Sequence, residues 1–317
     1  MALDPKEKQP GKSLFAESTR MFISEARRVK GFTLRDLVHG YIYARWPYLY
    51  IGIGVGEHPV SLILSFFRSR FRASESHTLT TVKQRTVADT YHGKVVRTES
   101  ARQLLTVREP IELRNLEQVV PFPVAKDIIM FEPEHLVALE CPCRSVREQA
   151  CEPLDVCLIV GEPFASFVMD HHPERARWID AQEGIEILEA EAQRGHVHHA
   201  FFKDAMLGRF YAICNCCPCC CGAMQLMRNG TPMLIPSGYI STLEVGLCDS
   251  CGQCAENCPF SAIELRGGPP EINHEVCMGC GVCVRFCPNG ALQLVRDPSK
   301  GTPLELRELI GEESRSI

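Results

Sequence analysis

The chain has 317 residues, of which 45% are hydrophobic and 23% charged, and its mean hydropathy of −0.06 is typical of a soluble protein. This length is sufficient for two or three hydrophobic cores. The net charge of −5 excludes a general nucleic-acid binder, whose surface would be basic.

Cysteine is the unusual component of the chain. Of 18 cysteines, 14 lie between Cys214 and Cys287. The polar residues 1–15 lack the apolar stretch of a secretory signal, so we expect a cytoplasmic protein. Thiols stay reduced in the cytosol, where clustered cysteines serve as metal ligands or catalytic groups rather than as disulfides. The composition therefore predicts a metalloprotein.

The first predicted region, residues 1–75, is helical and contains an apolar run from Tyr41 to Phe67. A transmembrane helix needs about 20 apolar residues without charge. Glu57 and Pro59 interrupt this run. We therefore favour packing against the core of the protein or against a partner subunit. The alternative is an interfacial helix at a membrane, with aromatic residues beside arginines. These aromatic residues are Phe66, Phe67 and Phe71.

Residues 76–235 are predicted to form an α+β domain with two cysteine-rich turns. The first turn follows a strand over residues 136–141, and the second follows a strand over residues 210–214. Helices are predicted near residues 163–170 and 181–194. A turn between a strand and a helix directs backbone N–H groups towards one point, which suits an anionic cluster.

The C-terminal region, residues 236–300, contains an internal repeat with a period of 29 residues. Each copy reads C-x2-C-x2-C-x3-C-P and is followed by similar residues, SAIEL and GALQL. The repeated unit is a loop, a short helix and a strand, and two such units predict a pseudo-symmetric ferredoxin-like fold. Residues 301–317 are interpreted as a tail. The predicted fold class of the whole chain is therefore α+β.

The spacing of the repeated cysteines predicts two [4Fe–4S] clusters. Three thiolates of each copy surround one cluster, and the fourth cysteine ligates the other cluster. One predicted ligand set is Cys248, Cys251, Cys254 and Cys287, and the other is Cys277, Cys280, Cys283 and Cys258. A pair of zinc sites is the alternative, but zinc motifs usually carry two C-x2-C pairs separated by a spacer.

Residues 240–297, with this tandem motif, resemble a bacterial two-cluster ferredoxin domain. The upstream segments CPCR…PLDVCLIVG and YAICNCCPCCCGAM are similar to segments of a family of uncharacterised bacterial and archaeal 4Fe-4S dicluster proteins. Members of that family carry C-x-C-R…C…V-C-L and CNCCxCCCG before the ferredoxin repeat. The resemblance covers approximately residues 130–297, and it implies a redox role without naming a substrate.

Ten cysteines outside the repeat form two further sets. The first is Cys141, Cys143, Cys151 and Cys157, and the second is Cys214, Cys216, Cys217, Cys219, Cys220 and Cys221. Six cysteines within eight residues would oxidise unless a metal held them, so at least one further metal centre is predicted. For Cys157, in the apolar sequence LDVCLIV, a buried hydrophobic role is the alternative.

The sequence leaves the type of this further centre open. We favour a third [4Fe–4S] cluster that draws on both sets. An atypical cluster is the second candidate. The three residues Cys220-Cys221-Gly222 bear a limited resemblance to the CCG domains of heterodisulfide reductase, which build non-cubane clusters. Zinc is the third candidate. Arg144 and Arg147 follow Cys143, either to balance the charge of a cluster or as solvent-facing helix residues.

Three histidines, His196, His198 and His199, fall on a predicted strand, with the first two on one face. A role as proton donors is one interpretation, but we favour partly exposed strand histidines. The sequence contains no Walker loop, and no G-x-G-x-x-G follows a predicted strand. A flavin or nicotinamide bound by this chain is therefore not supported.

Three functions are compatible with these patterns. We favour an electron-transfer subunit or partner that relays low-potential electrons to or from a redox enzyme, with membrane association not favoured and no nucleic acid expected. The second is a reductase whose active site is the third centre. The third is a docking module in which the middle cysteines bind zinc. The sequence leaves open whether the chain is itself an enzyme, and it names no donor, acceptor or substrate.

Overall fold

A computed structural model describes residues 16–58, 91–121 and 127–313. Three helices form in the first range, namely α1 (Glu17–Arg28), α2 (Leu34–Arg45) and α3 (Pro47–Gly54). Helix α2 begins at a capping box, in which the Thr33 hydroxyl accepts from the Asp36 backbone N–H and the Asp36 carboxylate accepts from the Thr33 N–H. Pro47 begins α3, where the missing N–H leaves no helical bond unmade.

The N-terminal helices pack against a later helix, α6 (Phe164–His171). The Phe22 ring lies 5.8 Å from the Phe167 ring, and Ser18 Oγ donates to Asp170 at 2.6 Å. Among the described residues, no helix is long and apolar enough to cross a membrane. The remainder of the predicted helical region, with Phe66, Phe67 and Phe71, lies outside the described residues.

An eight-stranded sheet forms the middle of the molecule. Its strands are β1 (Tyr91–Val96), β2 (Ile111–Leu113), β3 (Ile128–Leu139), β4 (Cys157–Glu162), β5 (Ala176–Ile179), β6 (Val197–Lys203), β7 (Arg209–Cys216) and β8 (Leu234–Ile235). The order is β2-β3-β4-β7-β6-β1-β8, with β5 paired to β3. All neighbours are antiparallel except β1 and β8, which are parallel.

The sheet separates two hydrophobic cores. Side chains of a strand alternate between faces, so Phe201 enters one core and its neighbour Phe202 the other. The N-terminal helices and α6 cover the first core. The second core is covered by α4 (Thr98–Leu105), α7 (Ala181–Gln193) and α11 (Leu306–Glu313). Thus residues interpreted as a tail include a helix whose Leu306 and Leu309 are buried.

Strand β4 aligns the ends of β3 and β7. Leu139 of β3 pairs with Cys157, and Cys157 also pairs with Cys214 of β7. Beyond β3 the chain turns into a short helix, α5 (Pro142–Ser145), and beyond β7 it turns into α8 (Gly222–Arg228). The two cysteine-rich turns therefore lie close together, at the same end of strands β3 and β7.

The C-terminal cysteines occupy a small pseudo-symmetric unit, which we call the ferredoxin module (residues 239–296). Strand β9 (Tyr239–Leu243) pairs with β12 (Leu292–Arg296), and β10 (Ile263–Glu264) pairs with β11 (Glu271–Ile272). Helices α9 (Gln253–Glu256) and α10 (Val282–Arg285) lie one repeat apart. Each follows a glycine with positive φ, Gly252 at 83° and Gly281 at 85°, a conformation that favours glycine. The α+β fold class is confirmed.

Candidate metal centres

The first predicted ferredoxin site is a small cavity between the two repeats. It is lined by Cys248, Cys251 and Cys254 of the first repeat and by Cys287 of the second. The Ser250 backbone N–H donates to Cys248 Sγ at 3.4 Å, and that of Ala291 donates to Cys287 Sγ at 3.2 Å. Four thiols around one cavity, with N–H groups directed at sulfur, suit an anionic cluster.

The second site is the pseudo-symmetric counterpart of the first, and it is also a small cavity. Cys277, Cys280 and Cys283 of the second repeat line it together with Cys258 of the first. The Ala262 N–H, one repeat before that of Ala291, donates to Cys258 Sγ at 3.3 Å. Both cavities thus gather cysteines in the crossed grouping expected from the sequence. Ligation of iron by these eight residues stays a prediction that this grouping supports.

Burial keeps several of these thiols protonated in the absence of metal. It raises the pKa of Cys283 to about 11, and it raises the pKa values of Cys254 and Cys280 above the usual range. Because cysteine binds metal as the thiolate, cluster assembly must release these protons.

Residues 247–292 match the family model of the 4Fe-4S dicluster domain. The match contains both copies of the repeat, so the C-terminal part of the chain is an iron–sulfur, ferredoxin-like domain. No match was found among curated proteins. The resemblance of the upstream segments to a particular dicluster family stays a prediction.

Seven of the ten middle cysteines line a cavity of about 90 Å³, which we call the thiol chamber. They are Cys141, Cys143, Cys157, Cys214, Cys216, Cys217 and Cys221. Cys157 Sγ lies 3.9 Å from Cys214 Sγ, and Cys221 Sγ lies 3.2 Å from Cys216 Sγ. Cys141 contacts both Cys143 and Cys157, and Cys143 contacts Cys221. Apart from that of Cys217, these sulfurs therefore form a continuous series along the wall of the chamber.

The remaining wall of the chamber is aromatic and apolar. Tyr43 of α2, Tyr91 of β1 and Tyr211 line this part of the wall. The hydroxyl of Tyr43 lies 2.8 Å from that of Tyr211. Lys203 Nζ lies 4.5 Å from the centre of the Tyr43 ring and 4.7 Å from that of Tyr91. Burial lowers the pKa of Lys203 to about 8. Sequence analysis missed this group, although tyrosines recur in the run YIYARWPYLY.

A buried network of polar side chains packs beside the chamber. Arg144, only 1% exposed, pairs with Glu191 and donates to the Asn215 carbonyl at 3.0 Å. Burial favours a raised pKa for Glu191, but hydrogen bonds from His196 and Arg144 overcome it and lower the pKa. The interpretation of Arg144 as a solvent-facing residue is therefore wrong, because the loop that follows α5 folds over its side chain and the Pro153 carbonyl accepts from it.

The histidines of β6 are more buried than expected. His198 is 3% exposed and His199 is fully buried, and burial lowers their pKa values to about 4 and about 3. His198 Nδ1 lies 2.6 Å from Asn215 Oδ1, whereas His199 faces Phe201 on the other side of the sheet. The alternation between faces was predicted correctly. The expected partial exposure was wrong for His198 and His199, because both faces of this strand are covered, whereas His196, just before the strand, is partly exposed.

The remaining three middle cysteines and Cys217 of the chamber wall form a second group, which we call the compact quartet. It comprises Cys151, Cys217, Cys219 and Cys220, whose sulfurs all lie within 4.8 Å of one another. Cys151 Sγ is 3.0 Å from Cys219 Sγ, and Cys220 Sγ is 3.8 Å from Cys219 Sγ. Each of the two groups draws on both cysteine sets, where the sequence predicted at least one further centre and favoured one cluster shared between the sets.

Proposed function

We propose that the chain is an iron–sulfur electron-transfer protein in which the ferredoxin module exchanges low-potential electrons with a metal–sulfur centre in the thiol chamber. The observation that carries this proposal is the orientation of the ferredoxin module. Met278 and Val282, beside ligands of the second cluster site, belong to the same hydrophobic core as Cys157 and Cys216 of the chamber.

Polar side chains connect the two sites as well. A groove between the ferredoxin module and the sheet is lined by Cys280 on one side and by His196 and His198 on the other. His198 contacts Asn215, and Asn215 lies between Cys214 and Cys216 in the chamber wall. This series of contacts offers a short route for electrons from the second cluster to the chamber.

The first cluster site is more exposed to solvent than the second. Cys251 is exposed and Cys248 is half-buried. Two apolar side chains beside them, Val245 and Leu247, are 61% and 53% exposed. An exposed apolar surface next to a cluster suits the docking of a redox protein. We therefore place electron exchange with a partner at the first site and internal transfer at the second.

The number of thiols in the chamber favours a centre with several metal ions. One tetrahedral ion needs four ligands, and seven cysteines line this cavity, six of them outside the compact quartet. An iron–sulfur cluster at this position would supply one-electron chemistry, while the protein would exclude water and fix the ligands. The family-model match to a dicluster domain in the same chain supports iron as the metal.

The test combines metal content with kinetics. Anaerobically purified protein should contain more than about 8 irons per chain, the number that two cubanes require. After mixing with a reduced bacterial ferredoxin, rapid-freeze EPR should show the ferredoxin clusters reduced first and the chamber centre afterwards. In Cys287→Ala the chamber centre should be reduced more slowly. An iron content of about 8 or less, or an unchanged rate in Cys287→Ala, would refute the proposal.

Docking at the first site has a matched control. Leu247→Asp should slow reduction by the protein donor, whereas Leu49→Asp, at another exposed leucine (44%, in α3), should leave the rate unchanged. Reduction by dithionite, which needs no docking surface, should be the same in both variants. Equal effects of the two substitutions would place the docking surface elsewhere.

A second candidate function is a reductase that acts in the chamber, and the tyrosine–lysine group favours it. Reduction of a bound substrate consumes protons together with electrons, and the linked hydroxyls of Tyr43 and Tyr211, with Lys203 close by, could deliver them. If so, the midpoint potential of the chamber centre should fall by about 59 mV per pH unit. Lys203→Met should reduce this slope, and a slope near zero in the unmodified protein would favour simple electron transfer.

A further inference from the structure

The compact quartet joins two loops that are distant in sequence. Cys151 lies in the loop between α5 and β4, and the other three cysteines lie in the turn between β7 and α8. Cys217 and Cys220 are buried, Cys151 is half-buried and Cys219 is exposed. The group therefore lies at the rim of the molecule, next to the thiol chamber, whose wall Cys217 also contacts.

The spacing of the four sulfurs fits one metal ion. Around a tetrahedral zinc ion with Zn–S bonds of about 2.3 Å, neighbouring sulfurs lie about 3.8 Å apart. The Cys219–Cys220 sulfur pair is at 3.8 Å, and every pair in the group is within 4.8 Å. The closest pair, Cys151 and Cys219 at 3.0 Å, would need to separate by about 0.8 Å.

The same spacing argues against a cubane cluster. In a cubane, each thiolate binds a different iron at a different corner, so the four sulfurs stand farther apart than around a shared ion. The ferredoxin module provides the comparison within the molecule. Among the residues that the structure describes, no other set of three or more cysteines has sulfurs within 4.8 Å of one another, and this includes both ferredoxin quartets.

The surrounding side chains hold the backbone of the turn and balance the charge of such a site. Arg147 donates to the Cys220 carbonyl at 3.2 Å, Gln225 Nε2 donates to the Cys219 carbonyl at 2.9 Å, and Arg228 donates to the Pro218 carbonyl. Four thiolates around Zn²⁺ carry a net charge of −2. Two arginines lie beside the turn to offset it, although Arg147 also pairs with Glu57.

We propose that the compact quartet binds one zinc ion, which ties the Cys151 loop to the Cys217–Cys221 turn and closes the outer wall of the thiol chamber. With four protein ligands and no open position, this site is structural rather than catalytic. The proposal is independent of the electron route, because it would hold even if the chamber were empty of iron.

The test measures zinc directly in the full-length protein, purified without oxygen. Zinc should be present at about one ion per chain, and zinc-edge X-ray absorption should report four sulfurs at about 2.3 Å. Cys219→Ser and Cys151→Ser should each lose this zinc and retain the iron of the ferredoxin module. The control Cys157→Ser, in the chamber, should keep it.

Several results would overturn the assignment. They are the absence of zinc from the unmodified protein, nitrogen or oxygen among the zinc ligands, and zinc that persists in both quartet variants. The last result would show that zinc occupies a ferredoxin site instead. Because the absorption measurement needs no substitution, the proposal stays falsifiable even if a variant fails to fold.

Discussion

The ferredoxin module and the middle region are both dense in cysteine, but they distribute it in opposite ways. In the ferredoxin module, ligands three positions apart in sequence line the same cavity. In the middle region, the adjacent residues Cys216 and Cys217 differ, since the Cys216 sulfur contacts that of Cys221 in the chamber and the Cys217 sulfur lies in the compact quartet. Side chains of consecutive residues at the end of a strand point to opposite sides. Beyond the strand, in the turn, the adjacent residues Cys219 and Cys220 stay in one group.

The two regions also differ in how far apart their sulfurs lie. The four sulfurs of the compact quartet are within 4.8 Å of one another, whereas neither ferredoxin quartet contains three sulfurs that close together, and a cavity lies between its four cysteines. A small separation suits one ion, and a cavity between the sulfurs suits a cluster. This difference supports the proposal of different metal chemistry for two kinds of group that each contain four thiols.

The largest expected effect comes from Cys287→Ala, which tests the crossed grouping in the ferredoxin module. This residue lies in the second repeat, but it lines the cavity of the first. Iron should fall by about four per chain, and EPR should show loss of the cluster held by Cys248, Cys251 and Cys254. If the signal of the cluster held by Cys277, Cys280 and Cys283 is lost instead, the grouping is wrong.

The division of adjacent cysteines is tested by comparing Cys216→Ala with Cys217→Ala. The first should remove the spectroscopic component of the chamber and leave zinc in place, whereas the second should remove zinc and leave that component. Cys143→Ala should repeat the result of Cys216→Ala, since both residues line the chamber. Limited proteolysis should detect loosening of residues 136–225 in all three variants, because metal-binding energy is folding energy. Identical losses in the first two variants would mean one shared centre.

A smaller effect is expected from the buried ion pair of Arg144 and Glu191 beside the chamber, which we compare with an exposed ion pair. Arg144→Met leaves the buried Glu191 carboxylate without its buried arginine partner and should lower the free energy of unfolding by about 3–5 kcal/mol. Arg177→Met, which removes an exposed pairing with Asp155 and Glu183, should cost about 0–1 kcal/mol. Anaerobic denaturant titration measures both, and similar losses would show that Arg144 is not structurally important.

The sequence by itself determined the ferredoxin-like domain, with its repeat, its paired helices and the crossed grouping of eight cysteines. This was predictable because the spacing of the tandem motif is local and fixes which residues turn towards each cavity. The α+β class and the position of both cysteine-rich turns at strand ends were also predictable, because they too follow from local sequence patterns. Strand alternation also placed His198 and His199 on opposite faces.

Only the tertiary structure decided how the other ten cysteines divide and what surrounds them. Cys151 and Cys219 are 68 positions apart, and they meet because β4 pairs with β7 and brings its preceding loop to the turn after that strand. Tyr43 reaches the chamber, and Lys203 lies over its ring, for a similar reason, since Tyr43 of α2 packs against the end of β6. The burial of Arg144 and His199 likewise depends on which elements cover them. A periodic pattern specifies the face of a strand, but it contains no information about what packs against that face.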